Sequence, residues 1–192
     1  MKKILVTGSS GFLGVHLCNA LCNMGHEVTG IDRSLNGINS CSKIHKNYSF
    51  ILGDIRKLAF HREYDVVYHL AALTSIPESF DYSEEFISTN VWGTANICKS
   101  FPNSRIVFTS SFAAGENKSP YGISKKAAEH FVNTHRNSVS IRFGNVFGEG
   151  QVDEEKVIPA FCKALKHGKK AMIFGDGSMK RDFVYVHDMV DE

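Results

Sequence analysis

The sequence has no surplus of charge of either sign. Its 22 Lys and Arg nearly balance 20 Asp and Glu, a formal net charge of +2. This excludes the electrostatic footprint of a nucleic-acid or membrane-surface protein. Long apolar runs are lacking too. Lys2 and Lys3 precede an apolar stretch as in a signal peptide, but that stretch is only Ile4, Leu5 and Val6, short of the ~7–15 apolar residues such a peptide needs. Nothing approaches the ~18 of a membrane span. The five cysteines, Cys18, Cys22, Cys41, Cys98 and Cys162, are odd in number and scattered. They argue against a disulfide framework and for reduced thiols in the cytoplasm. Cys18 and Cys22 lie one helical turn apart with no second ligand pair at zinc spacing, so they read as packed core thiols and no metal site is expected. Proline is scarce, at 4, and there are no repeats and no low-complexity segment.

What is present is enough apolar surface for a core, 43% hydrophobic residues, and 16 glycines. Short apolar runs at 3–7, 27–31, 48–52, 65–69, 105–109 and 139–143 read as strands. Helical spacing recurs between them. Leu13, Leu17, Ala20, Leu21 and Met24 form one stripe ended by Gly25. Ile87, Val91, Ala95 and Cys98 mark a helix over 84–100, and 121–135 is a third. Strands that are apolar throughout, alternating with helices, predict an α/β protein with a parallel sheet covered on both faces. The texture changes after Gly150. Asp153, Glu154 and Glu155 open a helix that ends near Gly168, short strands are expected at 171–174 and 183–186, and 186–192 starts another helix. The expected domains are 1–150 and 151–192. The Ser- and Asn-rich stretch 33–47 is the expected mobile loop.

Thr7-Gly8-Ser9-Ser10-Gly11-Phe12-Leu13-Gly14 joins the first strand to the first helix. Such a turn needs glycine for the tight bend, for backbone approach to a pyrophosphate, and for close helix–strand packing. The helix N-terminus then offers amides and a positive dipole end to phosphates. Asp32 ends the second strand, where a carboxylate accepts from ribose hydroxyls and repels a 2′-phosphate, favouring NAD; the adjacent Arg33 softens that preference.

This turn resembles the T-G-x-x-G-[FY]-[IL]-G of the extended short-chain dehydrogenase/reductases, and within them the NAD-dependent sugar epimerase/dehydratase group of the UDP-glucose 4-epimerase type. Further segments resemble the family's in the same order. Gly53-Asp54-Ile55-Arg56 is similar to the segment whose Asp caps the adenine. His69-Leu70-Ala71-Ala72 is similar to the strand end beneath the cofactor. Thr89-Asn90-Val91-Trp92-Gly93-Thr94 is similar to the helix carrying a structural Asn. The resemblance implies a Rossmann-like doubly wound sheet with part of a small C-terminal substrate lobe. It also implies NAD held at Gly8, Gly11, Phe12, Leu13, Gly14, Asp32, Asp54, Ile55, Leu70, Ala71, Ala72, Asn90, Tyr121 and Lys125.

Tyr121 and Lys125 stand at i and i+4, on one helical face. A phenol has a pKa of about 10. A nearby ammonium and an oxidised nicotinamide both favour the phenolate, which makes Tyr121 a candidate general base. Lys125 is also suited to hold the nicotinamide ribose. Ser111, at the end of the fifth strand, is the expected hydroxyl partner of a reacting sugar oxygen; Ser110 is the alternative, otherwise a turn residue bonding its own backbone. In the related dehydratases an acidic pair follows the catalytic hydroxyl, whereas here Phe112 and Ala113 follow and no carboxylate occurs before Glu116.

Residues 142–148 resemble the family's R-x-x-N-[VP]-[YF]-G, which implies substrate contact for Asn145. Residues 176–188 resemble a segment whose Arg, here Arg181, holds the diphosphate of a nucleotide sugar by bidentate geometry; a salt bridge to Asp182 is the plainer reading. Lys163, Lys166, Lys169 and Lys170 read as a solvated face, and His69 and His187 as structural. Two departures stand out. Only residues 112–120 separate Ser111 from Tyr121, where the family carries a longer excursion, and the chain stops at Glu192, where the family continues. The expectation is a chain cut short that binds NAD with weak turnover.

Three functions stay open: an NAD-dependent nucleotide-sugar epimerase, an NAD(P)-dependent keto-sugar or carbonyl reductase, and a non-catalytic dinucleotide-binding regulator. The expected partners are a nucleotide-diphosphate sugar and, from the resemblance, a second copy of the chain through helices 84–100 and 121–135. No nucleic acid or membrane is expected.

Overall fold

The computed structural model of the protein describes residues 1–35, 45–57, 62–152 and 156–191. The chain divides into two compact units, Met1–Phe143 and Gly144–Glu192. Cys41, most of the expected loop at 33–47, and Asp153 to Glu155 lie outside the described residues.

The first unit contains β1 (Lys3–Thr7), α1 (Phe12–Asn23), β2 (Glu27–Asp32), β3 (Tyr48–Leu52), β4 (Val66–His69), α2 (Ile76–Asp81) and α3 (Ser83–Phe86). A π-helical stretch Ile87–Trp92, α4 (Gly93–Ser100), β5 (Arg105–Ser111), α5 (Ala113–Glu116), α6 (Pro120–Thr134) and β6 (Ser138–Phe143) complete it. The six strands pair in the order β3-β2-β1-β4-β5-β6, all parallel. That order reverses direction between β1 and β4, and ligands of open α/β sheets bind at the carboxyl ends of the strands at such a point.

The apolar strands are buried as expected. Ile4, Leu5, Val6, Val28, Ile31 and Val67 are at most 2% exposed, because helices cover both faces. One cluster gathers Leu5, Ile31, Ile55, Tyr64, Val67, Ile97, Phe101 and Ile106, and a second Phe108, Ala128 and Val132. Cys18 and Cys22 are buried on α1, and Gly25, at φ +80°, ends that helix's turn. Ser119 caps α6 by accepting from the Gly122 amide, with Pro120 at the first position.

The first unit departs from expectation in detail. The single helix expected over 84–100 is an α–π–α succession. β5 runs two residues further, to Ser111. The short helices α2 and α5 had no periodic apolar signal.

The second unit contains β7 (Asn145–Phe147), α7 (Val157–Lys166), β8 (Phe183–Tyr185) and α8 (Val186–Asp191). The expected strand at 171–174 is irregular. The partner of β8 is instead β7, in parallel register Asn145↔Phe183 to Phe147↔Tyr185. A three-residue strand is too short to show a period. Among the described residues no helix is long and apolar enough to cross a membrane.

Candidate active site

The glycine turn follows β1. Gly8 has φ +72°, and a Cβ there would lie 2.8 Å from the Ala71 amide nitrogen and 2.9 Å from its Cα. The turn is therefore pressed against the chain leaving β4. A Cβ at Gly14 would lie 2.1 Å from the Gly8 carbonyl oxygen, so α1 closes directly on the turn. Gly11 is the N-cap of α1 and has no side chain to accept from the first helical amides. Those amides at Phe12 and Leu13 suit an anion. Asp32 fastens the turn to the end of β2: Oδ2 accepts from the Ser10 amide at 3.0 Å and Oδ1 from the Ser34 amide at 2.9 Å. Each carboxylate oxygen keeps a second lone pair for a hydroxyl donor. This cradle fits a dinucleotide.

Asp54 is gripped by Arg56, whose Nε lies 2.9 Å from Oδ2 and 3.0 Å from Oδ1. That contact holds the carboxyl below its ordinary value. Ile55 is buried and fills the space beside Gly93, where a Cβ would lie 2.5 Å from Ile55 Cδ1. The Ala71 amide donates to Thr7 Oγ1 at 3.2 Å and the Leu70 amide to the Thr7 carbonyl at 3.2 Å. The segment from Leu70 through Ala72 is thus held at the turn.

A buried polar chain runs from there to the helix bearing Tyr121. Thr94 Oγ1 donates to the Asn90 carbonyl at 2.6 Å, so it accepts from His69 Nε2 at 2.9 Å. Thr7 then donates to His69 Nδ1 at 2.7 Å. His69 is fully buried and stacks on Phe108. Burial, with the Lys125 charge, pulls it down to about 3, so it is neutral. Asn90, in the π-helical stretch, accepts from the Leu73 amide at 2.8 Å and donates to Ser124 Oγ at 2.9 Å. Ser124 in turn donates to the Tyr121 carbonyl at 2.8 Å.

Tyr121 and Lys125 lie on the buried face of α6, 8% and 3% exposed. The Ser111 hydroxyl neighbours the buried Tyr121 phenol and acts to lower it, and its Oγ accepts from the Ala113 amide at 3.2 Å. Lys125 Nζ donates to the Thr109 carbonyl at 2.5 Å and sits 4.4 Å from the centre of the Phe108 ring. The three predicted residues therefore meet at the carboxyl end of β5. Their electrostatics differ from expectation. Burial pushes the Tyr121 phenol up, with only the neighbouring Ser111 hydroxyl working against it, and burial pulls Lys125 down to about 7. The ammonium expected to acidify the phenol is turned to the Thr109 carbonyl and desolvated. Ser110 is no backbone-bonded turn residue, since its Oγ donates to Glu129 Oε1 at 2.7 Å.

In the second unit, Asn145 Nδ2 donates to the Asp182 carbonyl at 3.2 Å. Arg181 is exposed; its Nη1 donates to the Lys180 carbonyl at 3.1 Å, and it makes no ion pair with Asp182 among the described residues. The sequence reading missed Glu129, Ser124 and Thr94. Their signal was spacing: Glu129 follows Lys125 by one helical turn, and Ser124 precedes it.

A parallel sheet in this order, a glycine cradle at the first crossover and a Ser–Tyr–Lys group at the carboxyl edge define an α/β fold of the short-chain dehydrogenase/reductase kind. The chain belongs to the NAD dependent epimerase/dehydratase family, whose model matches residues 4–191. Human dTDP-D-glucose 4,6-dehydratase is 33% identical over 225 residues, covering 99% of this chain and 64% of that protein. The structure of UDP-N-acetylglucosamine 4-epimerase from Methanobrevibacter ruminantium M1, in complex with UDP-N-acetylmuramic acid, superposes with TM-score 0.88 at 30% identity, over 99% of this chain and 71% of that one. The structure of UDP-glucuronic acid 4-epimerase from Bacillus cereus, in complex with NAD, gives TM-score 0.86 at 27% identity, over 98% and 71%. The chain thus spans under two thirds of the length of the dehydratase.

Proposed function

We propose that the protein is an NAD-dependent nucleotide-sugar epimerase. The observation that carries this reading is the neighbouring Ser111 and Tyr121 hydroxyls, with Lys125 one turn along the same helix. The glycine cradle and Asp32 would hold the dinucleotide, with Lys125 reaching its ribose. When bound, NAD supplies a reversible hydride acceptor. Tyr121 takes the proton from a ring hydroxyl of the sugar, and Ser111 hydrogen-bonds the oxygen as it gains negative charge. The phenol rests protonated because it is buried. A second positive charge in the cleft, that of the oxidised nicotinamide, favours its ionised form. Asn145 and Arg181 are the proposed sugar and diphosphate contacts.

Both epimerases and dehydratases are among the relatives. The choice of epimerase rests on the residues after Ser111. Phe112 and Ala113 carry no acid for elimination, and Glu116 lies at the far end of α5, exposed. A second copy of the chain is the proposed partner for the face bearing Trp92 and Ile123, which are 63% and 52% exposed.

The test is to add UDP-sugars to the NAD-loaded protein and follow both the sugar configuration and net NADH. Interconversion of 4-epimers with no net NADH is expected. Tyr121→Phe is expected to lower it by about 10²–10⁴-fold while NAD stays bound. Stoichiometric NADH consumption with a carbonyl substrate would mark a reductase, and a 4-keto-6-deoxy product a dehydratase.

A further inference from the structure

Three consecutive residues at the carboxyl end of β5 each meet a different residue of α6. The Thr109 carbonyl accepts from Lys125, Ser110 donates to Glu129, and Ser111 neighbours Tyr121. Tyr121, Lys125 and Glu129 stand at i, i+4 and i+8, so the helix is laced to the strand along one face. The proposed chemistry uses two of these residues and leaves Glu129 without a role.

Glu129 is 5% exposed, and a carboxylate at that depth needs full compensation. Arg142 on β6 provides it: Nε to Oε1 and Nη2 to Oε2, both at 2.7 Å, with Lys126 Nζ 3.5 Å from Oε2. Arg142 is the register partner of Ser110 in the β5–β6 ladder. One carboxylate therefore joins two strands to the helix that carries Tyr121.

We propose that Glu129 is a positioning residue for the Ser111–Tyr121–Lys125 group, fixing the register of α6 on β5 and setting a negative charge one helical turn from the buried Lys125 amine. The proposal rests on the acid–base reading of that group. The ionisable side chains around Lys125 are Tyr121 and Glu129 on its own helix and His69 on β4, with Arg142 and Lys126 reaching it through Glu129. His69 is neutral, and Glu129 is held down at about 2 by Arg142 and Ser110. Glu129 is therefore the negative member of the group, and its charge opposes the desolvation that pulls Lys125 down to about 7.

The experiment is a ¹⁵N NMR titration of the Lys125 side chain in the full chain, assigned with Lys125→Met and run without sugar. In Glu129→Gln the Lys125 titration is expected to move down by about one unit. In Arg142→Gln it is expected to move up, because the carboxylate then faces Lys125 without its guanidinium. Titration at the wild-type pH in both variants overturns the proposal, and so do shifts of the same sign, the mark of a core that has merely loosened. If Glu129→Gln does not fold, Glu129→Asp takes its place: drawing the carboxylate back is expected to move the Lys125 titration down, and no shift or an upward shift overturns the proposal. Turnover is not read, so a protein that shows these shifts and fails to epimerise sugars rejects the proposed function and leaves the role of Glu129 standing.

Discussion

The two units of the chain are built to different standards. In the first, strands β1, β2 and β4 are sealed between helices, and the polar groups that remain inside are joined in chains such as Thr7–His69–Thr94. In the second, no residue of α7 is buried, and Leu165, Met172 and Phe174 are 71%, 72% and 84% exposed. The candidate acid–base group and the dinucleotide cradle sit in the closed unit. Asn145 and Arg181, the proposed sugar and diphosphate contacts, sit in the open one. The proposed cofactor chemistry needs groups held to fractions of an ångström, which only a packed interior provides.

Core truncation should expose this contrast most sharply. Leu5→Ala removes a fully buried side chain from the main cluster and is expected to cost about 2–5 kcal/mol, read as a fall in the denaturant midpoint. Leu165→Ala is expected to change stability by no more than about 0.5 kcal/mol. Equal losses at the two positions would break the comparison.

Acid should act next, and on the first unit. Between pH 6.5 and about 3 the unfolded chain takes up a proton at His69 that the folded chain refuses. The stability this gives is complete above the unfolded value and is lost as pH falls through the window. By pH 5, above the ordinary carboxylate range, the loss should be on the order of 2 kcal/mol. Denaturant midpoints at pH 7, 6 and 5 measure it, and a flat profile would mean that His69 is not sealed. Glu129 adds a lower step: its carboxyl sits at about 2, below the ordinary 4.5, so its contribution holds above pH 4.5 and is lost as pH falls toward 2.

The same contrast sets what could be read from the sequence. Continuous apolar strands and a glycine turn are local signals, and the sheet at β1 to β6 was legible from them, as was the meeting of Ser111, Tyr121 and Lys125 at its edge. The second unit offered little, because three-residue strands and an unburied helix leave no period. The strand expected at 171–174 was an apolar run without a partner, while Asn145–Phe147 took the pairing. The electrostatics of Tyr121 were misread for a different reason. Spacing shows that an amine shares a face with a phenol, but it cannot show that the amine is turned to the Thr109 carbonyl and desolvated. Glu129 was hidden likewise, since its partners Ser110 and Arg142 lie on two other elements.

Thiol reactivity gives the smallest effect and the most local reading of the same difference. Cys18 and Cys22 are 0% and 5% exposed on α1, and burial pushes the Cys98 thiol on α4 up to about 11. The thiolate is the reactive species, so these three should resist an aromatic disulfide reagent until the first unit opens. Cys162 is exposed on α7 and should react in the native protein. Peptide mapping after brief labelling at neutral pH should find Cys162 modified well ahead of the other three, and low denaturant should leave that order unchanged. If Cys98 is labelled alongside Cys162 under native conditions, the helix packed on β5 opens as readily as the second unit, and the division between a rigid chemical half and a loose recognition half does not hold.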